Sequence, residues 1–85
     1  MKSIWTATYG DHRITIENTW FNGERLLVNG FVQDDKSSLF SSVLTGHVIN
    51  AKGERENIKA NLGGFISVNC KLFINDQMIE LLKEK

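Results

Sequence analysis

A two-residue turn at Gly10-Asp11 folds the start of this chain into a hairpin whose two faces differ in kind. Folding there sets Trp5 opposite Ile16 and Ala7 opposite Ile14 on one face. Thr6 then faces Thr15, and Thr8 faces Arg13, on the other. Residues facing each other across an antiparallel pair lie on the same side of the sheet, so one surface is apolar and the other largely polar. A slip of one residue would carry Trp5 and Ile16 into water, which makes the register specific. Asn22-Gly23 follows, a dipeptide suited to hairpin turns that need positive φ at both central positions. The pattern demands antiparallel β structure.

Turn signals recur about every ten residues along the rest of the chain, the spacing of a sandwich or barrel. Strands are expected over residues 3–9, 12–20, 25–33, 40–50, 57–62, 65–74 and 78–82. Asn29-Gly30 could be another hairpin apex, but the segment before it would be short, so a bulge within a longer third strand is the preferred reading. The polar run 34–38 divides an N-terminal meander from a C-terminal set. A short loop at Lys52-Gly53-Glu54 sets Leu44 against Leu62, Gly46 against Ala60 and Val48 against Ile58. Gly63-Gly64 turns the chain into a segment whose Ile66, Val68, Cys70 and Leu72 share one side. A two-residue turn at Asn75-Asp76 then pairs Leu72 with Ile79, Cys70 with Leu81, Lys71 with Glu80, and Phe73 with Met78. Residues 77–85 are rich in helix formers that Asp76 could cap, so a short C-terminal helix is the alternative to a last strand. The expected fold is all-β: one domain over residues 1–85, a small antiparallel β-sandwich of seven to eight short strands.

Composition narrows the function classes. A chain of 85 residues has little core to spare for a deep pocket. Ten basic and ten acidic side chains give a net charge of zero, so no global field draws nucleic acid or an anionic membrane. The single Cys70 can form no internal bridge and no Cys/His cluster offers a metal site, which favours a reducing, cytoplasmic setting. The first residues turn polar before any apolar stretch develops, unlike a signal peptide, and no apolar run reaches the roughly 20 residues that span a bilayer.

Several of these segments, taken in order, resemble the Fas apoptosis inhibitory molecule family. They are Trp5 entering a strand, His12-Arg13-Ile14-x-Ile16-Glu17 after a tight turn, Gly23-x-Arg25 and Val28-x-Gly30. Leu44-x-Gly46, Ile58, Gly64-Phe65 and Leu72-x-Ile74-Asn75 continue the likeness, which runs from Trp5 to about Ile79. It implies an antiparallel β-sandwich that acts by binding other proteins, with no catalysis and no cofactor. The chain departs from the family's pattern in its compact loop around Asp35, its Ser-rich segment before Leu44, and Asn75-Asp76 in place of Asn-Gly. Architecture and a non-enzymatic class are therefore what carries over, and no binding residue does.

The reactive side chains do not assemble into a catalytic pattern. His12 beside Asp11, or His12 or His47 with Cys70 as nucleophile, would be the enzymatic readings. Asp11 belongs to a turn, however, and Cys70 falls between Val68 and Leu72 on the apolar side, the setting of an inert core thiol. Asp34-Asp35 lacks the ligand spacing of a calcium loop. Trp20-Phe21-Asn22 lacks the second aromatic cluster and flanking lysines of a single-strand nucleic-acid binder. Phe73 and Met78 face each other on the side away from the core, with Lys71 and Glu80 beside them, and an outward apolar pair marks a protein contact. The chain reads as a non-catalytic interaction module, binding a protein partner or a second copy of itself through an exposed sheet face or edge. No nucleic acid, membrane, cofactor or metal is expected. The alternative is a small-ligand or carbohydrate site on Tyr9, Trp20 and Phe21.

Overall fold

A computed structural model describes residues 2–19, 23–37, 42–63 and 69–85. Nine strands follow in order: β1 (Lys2–Tyr9), β2 (His12–Thr19), β3 (Gly23–Val28), β4 (Phe31–Lys36), β5 (Ser42–Ile49), β6 (Arg55–Gly63), β7 (Asn69–Ile74), β8 (Gln77–Ile79) and β9 (Leu82–Lys83). They form two antiparallel sheets, β4-β3-β2-β1-β9 and β5-β6-β7-β8, and no helix occurs among the described residues. The inward rows meet in one core. Ile14, Ile16 and Leu26 come from the first sheet, and Leu44, Ile58, Leu72 and Ile74 from the second.

The first hairpin has the register its alternation requires, Trp5 opposite Ile16 and Ala7 opposite Ile14. Gly10 alone of the two turn residues has positive φ, +59°, as a type II′ turn needs at its first central position. Asn22-Gly23 differs from expectation. Gly23 has φ +83° but stands in β3 opposite Thr19, while residues 20–22 lie outside the described residues. A Cβ on Gly23 would also run into the Lys36 carbonyl, so only glycine fits there.

The expected third strand is in fact two. Asn29 and Gly30 have φ of +52° and +83°, a type I′ apex that folds β4 back on β3. The bulge lies three residues further on. Leu26 faces Asp34 and Leu27 faces Val32, so Gln33 is the extra residue with no partner in β3.

That bulge aims Gln33 at the neighbouring sheet. Its Nε2 donates to the His47 carbonyl at 3.0 Å, and its Oε1 accepts the His47 N–H at 2.7 Å. Asp34 Oδ2 accepts the Thr45 N–H at 2.8 Å, and the His12 ring meets the Ile49 carbonyl at 2.8 Å. Side chains of the first sheet thus satisfy the outward backbone groups along edge strand β5, much as a neighbouring strand would. Gly46 makes room for this seam, because a Cβ there would strike the Gln33 amide and Leu26.

The β5–β6 register is shifted by two residues from the expected one: Leu44 faces Ala60, Gly46 faces Ile58 and Val48 faces Glu56. Asn50 closes the loop, its side-chain oxygen accepting the N–H groups of Lys52 and Glu54, both at 2.9 Å. An even shift keeps every side chain on its face, so the core row survives.

The C-terminus corrects both readings of it. No helix forms, and β8 ends at Ile79 rather than continuing beside β7. The chain crosses to the first sheet, where β9 pairs with β1 and sets Trp5 opposite Lys83. Backbone bonds from Glu84 N to Ile4 O (2.8 Å) and from Ile4 N to Lys85 O (3.1 Å) anchor it. Two further ties hold there: the Thr6 hydroxyl donates to Glu84 at 2.7 Å, and Lys83 lies over the Trp5 ring. Tertiary pairing outweighs helix propensity, which is worth only tenths of a kcal/mol per residue, roughly. The Lys71–Glu80 and Cys70–Leu81 pairs do not form. The expected segment 65–68, with its Ile66 and Val68, lies outside the described residues, as does the expected strand start at residues 40–41.

Candidate functional site

The outer face of the second sheet carries a row that crosses all four strands. Thr45 pairs with Lys59, Lys59 with Phe73, and Phe73 with Met78. The Asn75-Asp76 turn fixes this last pairing, since φ values of +50° and +66° make it type I′. Asn75 also docks on β6. Its N–H donates to the Asn57 carbonyl at 2.9 Å and its Oδ1 accepts the Asn57 N–H at 3.0 Å. Phe73 and Met78 therefore sit side by side, as expected. Phe73 is half-buried and Met78 is 63% exposed.

The row ends on an open edge. In a two-residue hairpin the closing pair, here Ile74 and Gln77, exchanges hydrogen bonds, so the backbone of the next pair points away. Met78 thus turns its N–H, its carbonyl and its side chain outward together. The same alternation directs the Cys70 backbone toward the side that β8 leaves vacant beyond Ile79. A groove of about 520 Å³ lies there, lined by Trp5, Cys70, Lys71, Ile79, Leu81 and Lys83 among others.

Charge sets this face apart from its counterpart. On the first sheet's outer face Lys2 meets Glu17 at 3.7 Å and Arg13 meets Glu84 at 3.2 Å, while Arg25 lies between Glu17 and Asp35 in the pairing. On the second, Arg55, Lys59 and Lys71 are exposed and have no carboxylate within 4.0 Å among the described residues. Glu80, expected beside Lys71, is not paired with it. A hollow of about 660 Å³ opens between β5, β6 and the Asn75-Asp76 turn, with His47, Arg55, Lys59 and Phe73 in its lining. Arg55 Nε donates to Asn57 Oδ1 at 3.1 Å.

The other sequence candidates are placed differently. Tyr9 donates its hydroxyl to the Glu56 carboxylate, which also accepts from Asn50 Nδ2 at 2.8 Å. These two bonds hold Glu56 below the usual carboxylate range, and the bond to Glu56 pushes the Tyr9 hydroxyl up. Tyr9 pairs with His12 at one end of β2, whereas Thr19, which precedes Trp20, closes the other end. That length is roughly 23 Å at about 3.3 Å per residue, so the chain does not bring Tyr9 together with Thr19's end of the sheet. Trp20 and Phe21 themselves lie outside the described residues.

His12 is engaged on both ring nitrogens. The Arg13 N–H bonds Asn29 Oδ1 at 2.9 Å, which turns the Asn29 amide nitrogen onto His12 Nδ1 at 3.0 Å. Nδ1 accepts, so Nε2 carries the hydrogen given to Ile49. Burial pushes the Cys70 thiol up to about 12, which keeps it from acting as a thiolate near neutral pH. No group of three or more His, Cys, Asp or Glu that could hold a metal occurs among the described residues.

Comparison with family models, with curated proteins and with solved structures finds no match for this chain.

Sequence reasoning found Phe73 and Met78 but missed Lys59, Arg55 and His47. Their joint exposure depends on the β5–β6–β7 registers. The signal available was parity alone, since all three are odd-numbered and the inward row is even-numbered.

Proposed function

We propose that this protein is a non-catalytic binding module that takes an extended, acidic segment of another protein along the open side of its second sheet. Phe73 and Met78 supply the apolar contact, Lys59 and Lys71 the charges, and the outward Met78 N–H and carbonyl a short stretch of strand pairing. The observation that carries this reading is the coincidence, on one face, of an outward apolar pair, half-buried Phe73 and exposed Met78, with three exposed cations that have no carboxylate within 4.0 Å among the described residues. An exposed ion pair contributes roughly 0–1 kcal/mol, so charge selects the segment and the apolar contact holds it. The resemblance to a family that acts by binding proteins points the same way.

The test uses a short peptide of alternating glutamate and valine, titrated into the isotope-labelled chain. Amide shifts are expected to concentrate on residues 57–61, 69–73 and 77–79 and to weaken as salt is raised. Lys59→Glu with Lys71→Glu should cut affinity about tenfold or more, and Met78→Glu should reduce it without unfolding the chain. Shifts scattered over the molecule would sink the reading. So would sedimentation showing that this face is already closed by a second copy.

A further inference from the structure

We infer that the hollow beside Phe73 receives a phosphoryl group carried by the bound segment, an assignment that rests on the reading above and names its partner more closely. The hollow and the apolar pair are continuous, since Phe73 belongs to both and its cross-strand neighbour Lys59 lines the hollow. A segment that pairs with β8 at Met78 and then turns across Phe73 carries a later side chain between β6 and β5, roughly 12 Å from that edge at about 4.8 Å per strand.

What waits there suits a dianion. Arg55, Lys59 and His47 line one concavity, with Asn57 and Asn75 among its walls. Asn57 engages Arg55 through Nε, which leaves both terminal nitrogens of the guanidinium as a fork. That fork matches two oxygens of a phosphate in bidentate fashion. A carboxylate offers one charge and two oxygens, whereas a phosphoryl group brings a charge near −2 and three oxygens, one for each basic group present. Among the described residues Asp76 is the one acidic residue in the lining, and it lies within 4.0 Å of neither Arg55 nor Lys59. At about 660 Å³ the space falls within the roughly 300–1,000 Å³ range of ligand sites, enough for the phosphoryl group and its side chain.

The experiment compares three probes on the labelled full chain: inorganic phosphate, the glutamate–valine peptide with a central serine, and the same peptide phosphorylated on that serine. Phosphate should give saturable shifts confined to residues 45–47, 55–59 and 75–76. The phosphopeptide should bind at least about tenfold more tightly than the unmodified peptide. Arg55→Gln should remove that gain, lowering the phosphopeptide's affinity at least about tenfold while costing the unmodified peptide far less. Phosphate shifts that never saturate, or that spread to Lys2, Arg13 and Arg25, would overturn the assignment; the unmodified peptide's binding would then stand on its own. Saturable phosphate binding with no peptide contact at Phe73 and Met78 would instead sink the interaction reading and the peptide as carrier. A single-stranded oligothymidylate that outcompetes the phosphopeptide on this face would overturn the assignment in favour of nucleic acid.

Discussion

The two edges of the second sheet are managed in opposite ways. Along β5, Gln33, Asp34 and His12 occupy the outward groups of Thr45, His47 and Ile49, so a foreign strand finds them already bonded. Along β8 the strand is three residues long and Met78 faces outward with backbone and side chain alike. Exposed edges invite pairing with other chains, and proteins commonly cover or shorten them. This one covers the first edge with side chains from its own β4 and β2 and, among the described residues, leaves the second short and open. The proposed binding at β8 rests on this difference, while the bonds along β5 hold the two sheets together.

The hardest blow to that arrangement falls at Gly46. Gly46→Ala forces a methyl against Leu26 and the Gln33 amide, and overpacking of this kind costs about 1–3 kcal/mol, read as a lower urea midpoint at unchanged slope. Exchange at the His47 amide should accelerate in the same variant. Gln33→Ala comes next. It strips one donor and one acceptor from His47 at a solvent-accessible edge, where water takes their place, so the loss is about 0.5–1.5 kcal/mol. In wild type the His47 and Thr45 amides should exchange slowly and the Met78 amide quickly. Equal rates at the two edges would erase the comparison.

Much of this was legible in the sequence where turn chemistry and alternation agree. Gly10-Asp11 and Asn75-Asp76 each fix a hairpin register locally, and both registers are those the residues demand. Asn29-Gly30 carried the same signal, but reading a long strand through it hid β4, and with it the seam. The seam itself leaves only one sequence trace, a glycine at position 46 within an alternating strand, because a side chain standing in for a strand has no periodicity. The Asn50 loop was misjudged since its closure depends on side-chain bonds to two backbone amides, which slide the register by two. Total charge misled as well. Zero net charge conceals one face that carries two ion pairs and another whose cations have no carboxylate within 4.0 Å among the described residues.

Tyr9→Phe tests a further tie between the sheets, from β1 to β6, and its effect on stability is greatest between the acid and alkaline limbs and fades at the extremes of pH. The bond makes Glu56 more acidic folded than unfolded, so its contribution is complete above the ordinary value of 4.5 and fades as the pH falls through the lower folded value. Tyr9 shifts the other way, and its contribution holds below 10.0 and fades as the pH rises through the higher folded value. Removing the hydroxyl should flatten both limbs of the urea midpoint against pH. Unchanged limbs would mean that Tyr9 and Glu56 do not share a proton-linked bond in solution.

The smallest effect on stability is expected at the open edge, and it separates the two edges most directly. Met78 is 63% exposed and its backbone is bonded to neither neighbour, so Met78→Thr, which keeps β propensity, should move the unfolding free energy by no more than about 0.5 kcal/mol. The same substitution should weaken the glutamate–valine peptide, because the apolar contact is lost while Lys59 and Lys71 remain. A loss of stability comparable to that of Gly46→Ala would show Met78 buried in solution, with its edge as covered as β5. Unfolding energy and peptide affinity respond separately only if β8 is free in the isolated protein.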